Sequence, residues 1–87
     1  MSDTTLAQRQ TEYLLFVEVP NPGMKTRAWV VRGLRNMHTL GVIRWYGRWR
    51  QFVFYPEPNS LFNKGCLSDI NTFLDDAYKD WRRSKEQ

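Results

Sequence analysis

Apolar residues change their spacing partway along this chain. Up to Tyr55 they alternate with polar residues or gather in short β-branched and aromatic runs, and from Leu67 onward they recur at three and four residues. The first pattern belongs to strands and the second to an amphipathic helix. Residues 11–19 are rich in β-branched and aromatic types and predict a strand. Pro20, Pro22 and Gly23 end it, because proline gives no donor to a ladder. Residues 25–32 predict a second strand, with Trp29 and Val31 on one face and Ala28 and Val30 on the other. A polar, basic connection over 33–39 leads to a third strand at 40–46 and a fourth at 49–55, which Pro56 and Pro58 close. Residues 1–10 lack a sustained apolar period and predict a flexible N-terminal arm or a short helical turn, leaving 11–87 as the single domain.

In the last third, Leu67, Ile70, Leu74, Ala77 and Trp81 fall on one helical face, widened by Phe73 and Tyr78. This predicts a helix over about residues 66–83. Asp69 near its start and Arg82, Arg83 and Lys85 near its end suit the helix dipole. Asp75 and Lys79 form a favourable pair at i,i+4, whereas Asp76 and Asp80 repel at the same spacing. The helical stripe must be buried against the sheet. The expected fold is therefore α+β: an antiparallel meander of three to four strands with one C-terminal helix packed on one face.

Gly47-Arg48 reads as a two-residue hairpin turn, with Gly47 supplying a positive φ. That turn puts Ile43, Trp45, Arg50, Phe52 and Phe54 on one face of the hairpin. It puts Val42, Arg44, Tyr46, Trp49, Gln51, Val53 and Tyr55 on the other. The first set reads as core, with Arg50 against Trp45 at its rim as a cation–π pair. The second mixes flat aromatics with guanidinium and amide groups. Such a face suits base stacking with phosphate pairing, and equally a protein interface anchored by Trp, Tyr and Arg. An exposed sheet face that merely carries some large residues is the plain alternative.

Charge sharpens this picture. The 87 residues carry a net charge of +4, but residues 19–56 hold all of Lys25, Arg27, Arg32, Arg35, Arg44, Arg48 and Arg50 and no acid. A stretch of this kind creates a local positive potential unless acids of the helix or first strand lie beside it. Aromatic residues make up 15% of the chain, enough for a compact core in so short a sequence.

Little in the sequence points to catalysis. Cys66 and His38 are the only residues of their types, with no spacing that joins them. One cysteine excludes an internal disulfide and a multi-cysteine metal site. Asp75 and Asp76 are adjacent and so point to different sides of a helix. The five glycines are scattered, with no phosphate-cradling spacing. No catalytic residue, metal site or cofactor is expected. The longest apolar run, Tyr13 to Val17, is too short to span a bilayer, and the first residues lack the basic and apolar regions of a secretory signal, so no membrane association is expected.

The stretch from Leu40 to Pro56, with its Leu-Gly-x-Ile-x-Trp-Tyr-x-x-Trp-Arg-Gln spacing, resembles a family of short uncharacterised proteins of phages and prophage-type regions of bacteria. Phe62 to Ile70, Phe73-Leu74 and Lys25 to Trp29 extend the resemblance over roughly residues 25–75. It implies a bacterial or phage setting and a small α+β domain; with no secretory signal and no bilayer-spanning run, the expected location is the cytoplasm of the host cell. The resemblance implies no activity.

Two functional expectations follow. The first is a small non-catalytic protein that binds nucleic acid or a nucleotide, with Arg44 and Arg48 for phosphate, Tyr46 and Trp49 for stacking, and Gln51 beside them. The second is a protein-interaction module, an inhibitor or adaptor acting on a host protein with an acidic surface, or a homodimer formed through a sheet edge.

Overall fold

The computed structural model describes residues 4–35 and 37–85. The elements in chain order are a helical turn α1 (Thr4–Ala7), strands β1 (Gln8–Gln10), β2 (Leu14–Val19), β3 (Ala28–Gly33), β4 (Thr39–Tyr46) and β5 (Gln51–Pro56), and the long helix α2 (Lys64–Lys85). The strands form one antiparallel sheet in the order β1-β2-β3-β4-β5. The α+β meander with its C-terminal helix is as expected, but the sheet has five strands rather than three or four.

The additional strand comes from the first ten residues. Gln8-Arg9-Gln10 carries no apolar side chain and pairs through its backbone with Leu15, Phe16 and Val17. Two neighbouring contacts fix it. Leu6 in α1 is fully buried, and its carbonyl accepts a hydrogen bond from the Trp29 indole at 2.6 Å. Arg9 donates to Asp76 of α2 at 2.7 Å and lies over the Phe73 ring. The part of segment 1–10 that is described is thus a helical turn and an edge strand, and residues 1–3 lie outside the described residues.

Alternation along the strands makes two distinct faces. Phe16, Trp29, Val31, Ile43 and Phe52 point to the face covered by α2, and each is buried. From α2, Ile70, Phe73 and Ala77 close this core. Phe73 is its centre, stacked on Phe16 with ring centroids 4.4 Å apart and edge-to-face with Trp29 at 5.0 Å. The helical stripe is therefore rotated from the expected one: Leu67 is exposed and Leu74 only half-buried. Asp76 and Asp80, expected to repel, each take an arginine from the sheet, Arg9 and Arg27 respectively. Asp75 and Lys79 pair at 3.2 Å, as their spacing predicts.

Asn63 caps α2. Its side-chain oxygen accepts from the Cys66 amide at 2.8 Å, and its carbonyl accepts the first helical bond from Leu67. Gly41 is required by packing: a Cβ there would lie 2.5 Å from both the Phe54 ring and the Tyr55 carbonyl oxygen. A bulge between Val31 and Arg32 shifts the β3–β4 register, so Arg32 faces Thr39. Among the described residues no helix is long and apolar enough to cross a membrane.

Candidate nucleic-acid interface

The β4–β5 hairpin does not turn at Gly47-Arg48. Tyr46 is opposite Gln51, which leaves Gly47, Arg48, Trp49 and Arg50 as a four-residue loop. The Trp49 amide bonds back to Tyr46 and the Arg50 amide to Gly47. The left-handed residue is Arg50, at φ 53°, and not Gly47. Two consequences correct the expectation. Arg50 lies in the loop, exposed, rather than in the core beside Trp45. Trp45 instead packs on Phe52 and Trp81. Trp49 also leaves the strand, but it stays against Tyr46, edge-to-face at 4.9 Å.

The cross-strand partner of Tyr46 moves from residue 49 to residue 51, a shift of even length, so the residues that stay in the strands keep their faces, and only Trp49 and Arg50 leave them. Val42, Arg44 and Tyr46 share the face away from α2 with Gln51, Val53 and Tyr55. Arg44 lies over the Tyr55 ring, its guanidinium carbon 4.9 Å from the centroid. This contact holds a cation and an aromatic ring together on the open side of the sheet. Tyr46 is half-buried beside it, opposite Gln51. Trp49 stands at the corner, 65% exposed, and with Gln51 it also borders a groove shared with Leu74, Asp75 and Tyr78 of α2; Arg48 is exposed at the loop. Arg44, Tyr46, Gln51 and Trp49 therefore come together, while Arg48 is placed nearby with no side-chain partner among the described residues.

The rest of the open face extends the site. By register, Val17, Val30, Val42 and Tyr55 form one row across four strands, flanked by Leu15, Val19 and Arg32. No Asp or Glu alternates to this face among the described strand residues. Tyr55 is the residue that the site assignment missed. It shares a face with Arg44, but only the register makes it the ring under the guanidinium.

Acids of β2 and α2 neutralise one base of the basic stretch. Arg27 bonds to Glu18 at 2.7 and 3.0 Å and to Asp80 at 3.3 Å. Hydrogen bonding to Glu18 is the main reason that its guanidinium pKa is raised further above the ordinary value. The other described ion pairs use Arg9 and Lys79, from outside the stretch. Arg32, Arg44, Arg48 and Arg50 have no carboxylate partner among the described residues, so the positive potential of the hairpin stands.

The structure places Cys66 and His38 on different clefts. Cys66 is buried in the first turn of α2 and borders a cleft with Tyr13, Leu34 and Leu61, whereas His38 borders another with Glu57, Asn59 and Ser60. No group of three His, Cys, Asp or Glu that could hold a metal ion occurs among the described residues.

An uncharacterised 9.3 kDa protein of Acholeplasma phage L2 is 36% identical over 66 residues, a match covering 76% of this chain and 85% of the phage protein. The chain belongs to this phage protein family. No protein-family model matches it, and no solved structure does. Membership gives the setting of the family, small proteins of phage type, and the interface has to be read from its own geometry.

Proposed function

We propose that this chain is a small non-catalytic binding protein of phage type that takes single-stranded nucleic acid or a nucleotide on its open sheet face. One observation carries the reading: among the described strand residues no acid points to the face that α2 leaves uncovered, and this face holds Arg44 over Tyr55, with Tyr46, Gln51 and Trp49 adjacent. Guanidinium groups without carboxylate partners suit phosphate. Flat rings on an open sheet suit bases that are not paired, because a duplex keeps its base faces stacked. Arg44 and Arg48 contact phosphate, and Tyr46, Tyr55 and Trp49 offer stacking surfaces. Binding takes place in the cytoplasm of the bacterial host.

The row Val17, Val30 and Val42 favours a second reading, a protein-interaction module acting on a host protein with an acidic surface. The test is fluorescence titration with labelled single-stranded and duplex DNA and RNA across a salt series. The proposal expects single strands to bind more tightly than duplexes. It also expects Arg44→Ala and Arg48→Ala to lower the salt slope by about 0.7 per lost phosphate contact without unfolding the domain. Unchanged binding by the double variant would remove the site, and no binding at physiological salt would leave the protein-interaction reading.

A further inference from the structure

β5 is an edge strand, and its free side is unusually permissive. Natural edges are commonly blunted by charged residues or proline. The sequence Gln51-Phe52-Val53-Phe54-Tyr55-Pro56 carries no charge, and its one proline stands at the end. The phase of the ladder shows which groups are free. The Glu57 amide bonds to the Leu40 carbonyl at 2.8 Å, so 40 and 57 form a hydrogen-bonded pair. Antiparallel pairs alternate, and the β4–β5 register runs without a shift from Gly41–Pro56 to Tyr46–Gln51. Gln51, Val53 and Tyr55 therefore bond to β4, and Phe52 and Phe54 direct their amides and carbonyls outward. Pro56 also faces outward, where its missing N–H breaks no bond of the sheet.

We infer that two copies of the chain join through β5, antiparallel, about a two-fold axis at Val53, giving a continuous ten-stranded sheet. This register pairs Phe52 of each copy with Phe54 of the other in four backbone hydrogen bonds. Among registers with the correct phase, it alone satisfies every outward group of Phe52 and Phe54. Centring on Phe52 would require Arg50, which is left-handed and outside the strand. Centring on Phe54 would set Phe52 against Pro56, which has no amide to give. The same strand edge serves on both copies, as a closed isologous dimer requires. Beside this edge lies a groove of about 340 Å³ between the hairpin, which contributes Trp49, Arg50, Gln51 and Phe52, and α2, which contributes Leu74, Asp75 and Tyr78 among others. Phe54 of the second copy, opposite Phe52, lies on the helix side of the joined sheet, where it stays edge-to-face with its own Phe62.

The two-fold axis is perpendicular to the sheet, so both helices lie on one side and both open faces on the other. Gln51 of one copy then stands opposite Tyr55 of the next, and the basic-aromatic surface doubles. The dimer itself rests on the edge geometry and not on nucleic-acid binding.

Sedimentation of the full-length chain over a concentration series tests the inference, with Val53→Lys, Val53→Glu and their mixture. Val53 is half-buried on the open face, and circular dichroism checks that each variant is folded. The wild type is expected to dimerise. Each charged variant places like charges at the axis and should raise the dimer dissociation constant by about tenfold or more. Mixing the two should restore association as a heterodimer. A second measurement fixes the register: Val53→Cys in a Cys66→Ser background should form an intermolecular disulfide, because directly opposed residues at a non-hydrogen-bonded position have Cα atoms about 4.5 Å apart. A wild-type chain that stays monomeric throughout would overturn the inference. So would a dimer unaffected by Val53→Lys, which must use another surface. Oligonucleotide binding by a monomeric wild type would sink the dimer and leave the binding reading intact.

Discussion

Single residues show most directly why this sequence needs this sheet. Gly41 sits where Phe54 lies across the strand and the Tyr55 carbonyl approaches. A ring can rotate aside, but a backbone oxygen inside a ladder cannot. Gly41→Ala should therefore lower stability by about 1–3 kcal/mol, the usual cost of overpacking. Urea denaturation would read this as an earlier midpoint with an unchanged slope. An unchanged midpoint would mean that the Tyr55 carbonyl does not approach Gly41 this closely. The same scale explains what was legible in the sequence. Trp29, Val31, Ile43 and Phe52 lie in the core because alternation is a local property of a strand. Phe73 outranks Leu67 in the helix for a reason no helical wheel contains: Phe16 and Trp29 converge on it from two strands.

At the level of elements, the hairpin separates what alternation fixes from what it does not. Strand faces survived a change of turn because the register moved by an even number of residues. The turn itself was not legible: Gly47-Arg48 resembles a two-residue connection, yet the loop closes with Arg50 in the left-handed region. That conformation costs a side-chain-bearing residue about 1–2 kcal/mol, a cost that glycine avoids at some expense in chain entropy. Arg50→Gly should accordingly raise stability by about 1 kcal/mol, whereas Gly47→Ala should be nearly neutral, since its Cβ meets open space. Thermal melts of the two variants would check this pair, and a two-residue turn would give the reverse order. β1 lay beyond sequence reasoning for a different reason. Its side chains are all polar, and it is a strand because β2 offers an edge and Asp76 anchors Arg9.

The molecule as a whole divides its labour between the two sides of one sheet. One side is closed by α2 over an aromatic core, and the other presents half-buried valines, two tyrosines and arginines with no acid among them. The charge map could be read from the sequence, but which bases stayed unpaired could not. Arg27 finds Asp80 53 residues away, a pairing set by how α2 crosses the sheet. The candidate site was legible in Arg44, Tyr46 and Gln51, which follow strand alternation. Trp49 and Arg48 depend on the loop, and Tyr55 depends on register. Amide chemical shifts recorded during titration with a short single-stranded oligonucleotide at physiological salt test the central claim most directly. The expected changes fall on Arg44, Tyr46, Gln51, Tyr55 and the neighbouring Val30 and Val42, with the exposed side of α2 unmoved. Changes centred on α2, or none on the open face at saturating oligonucleotide, would contradict it.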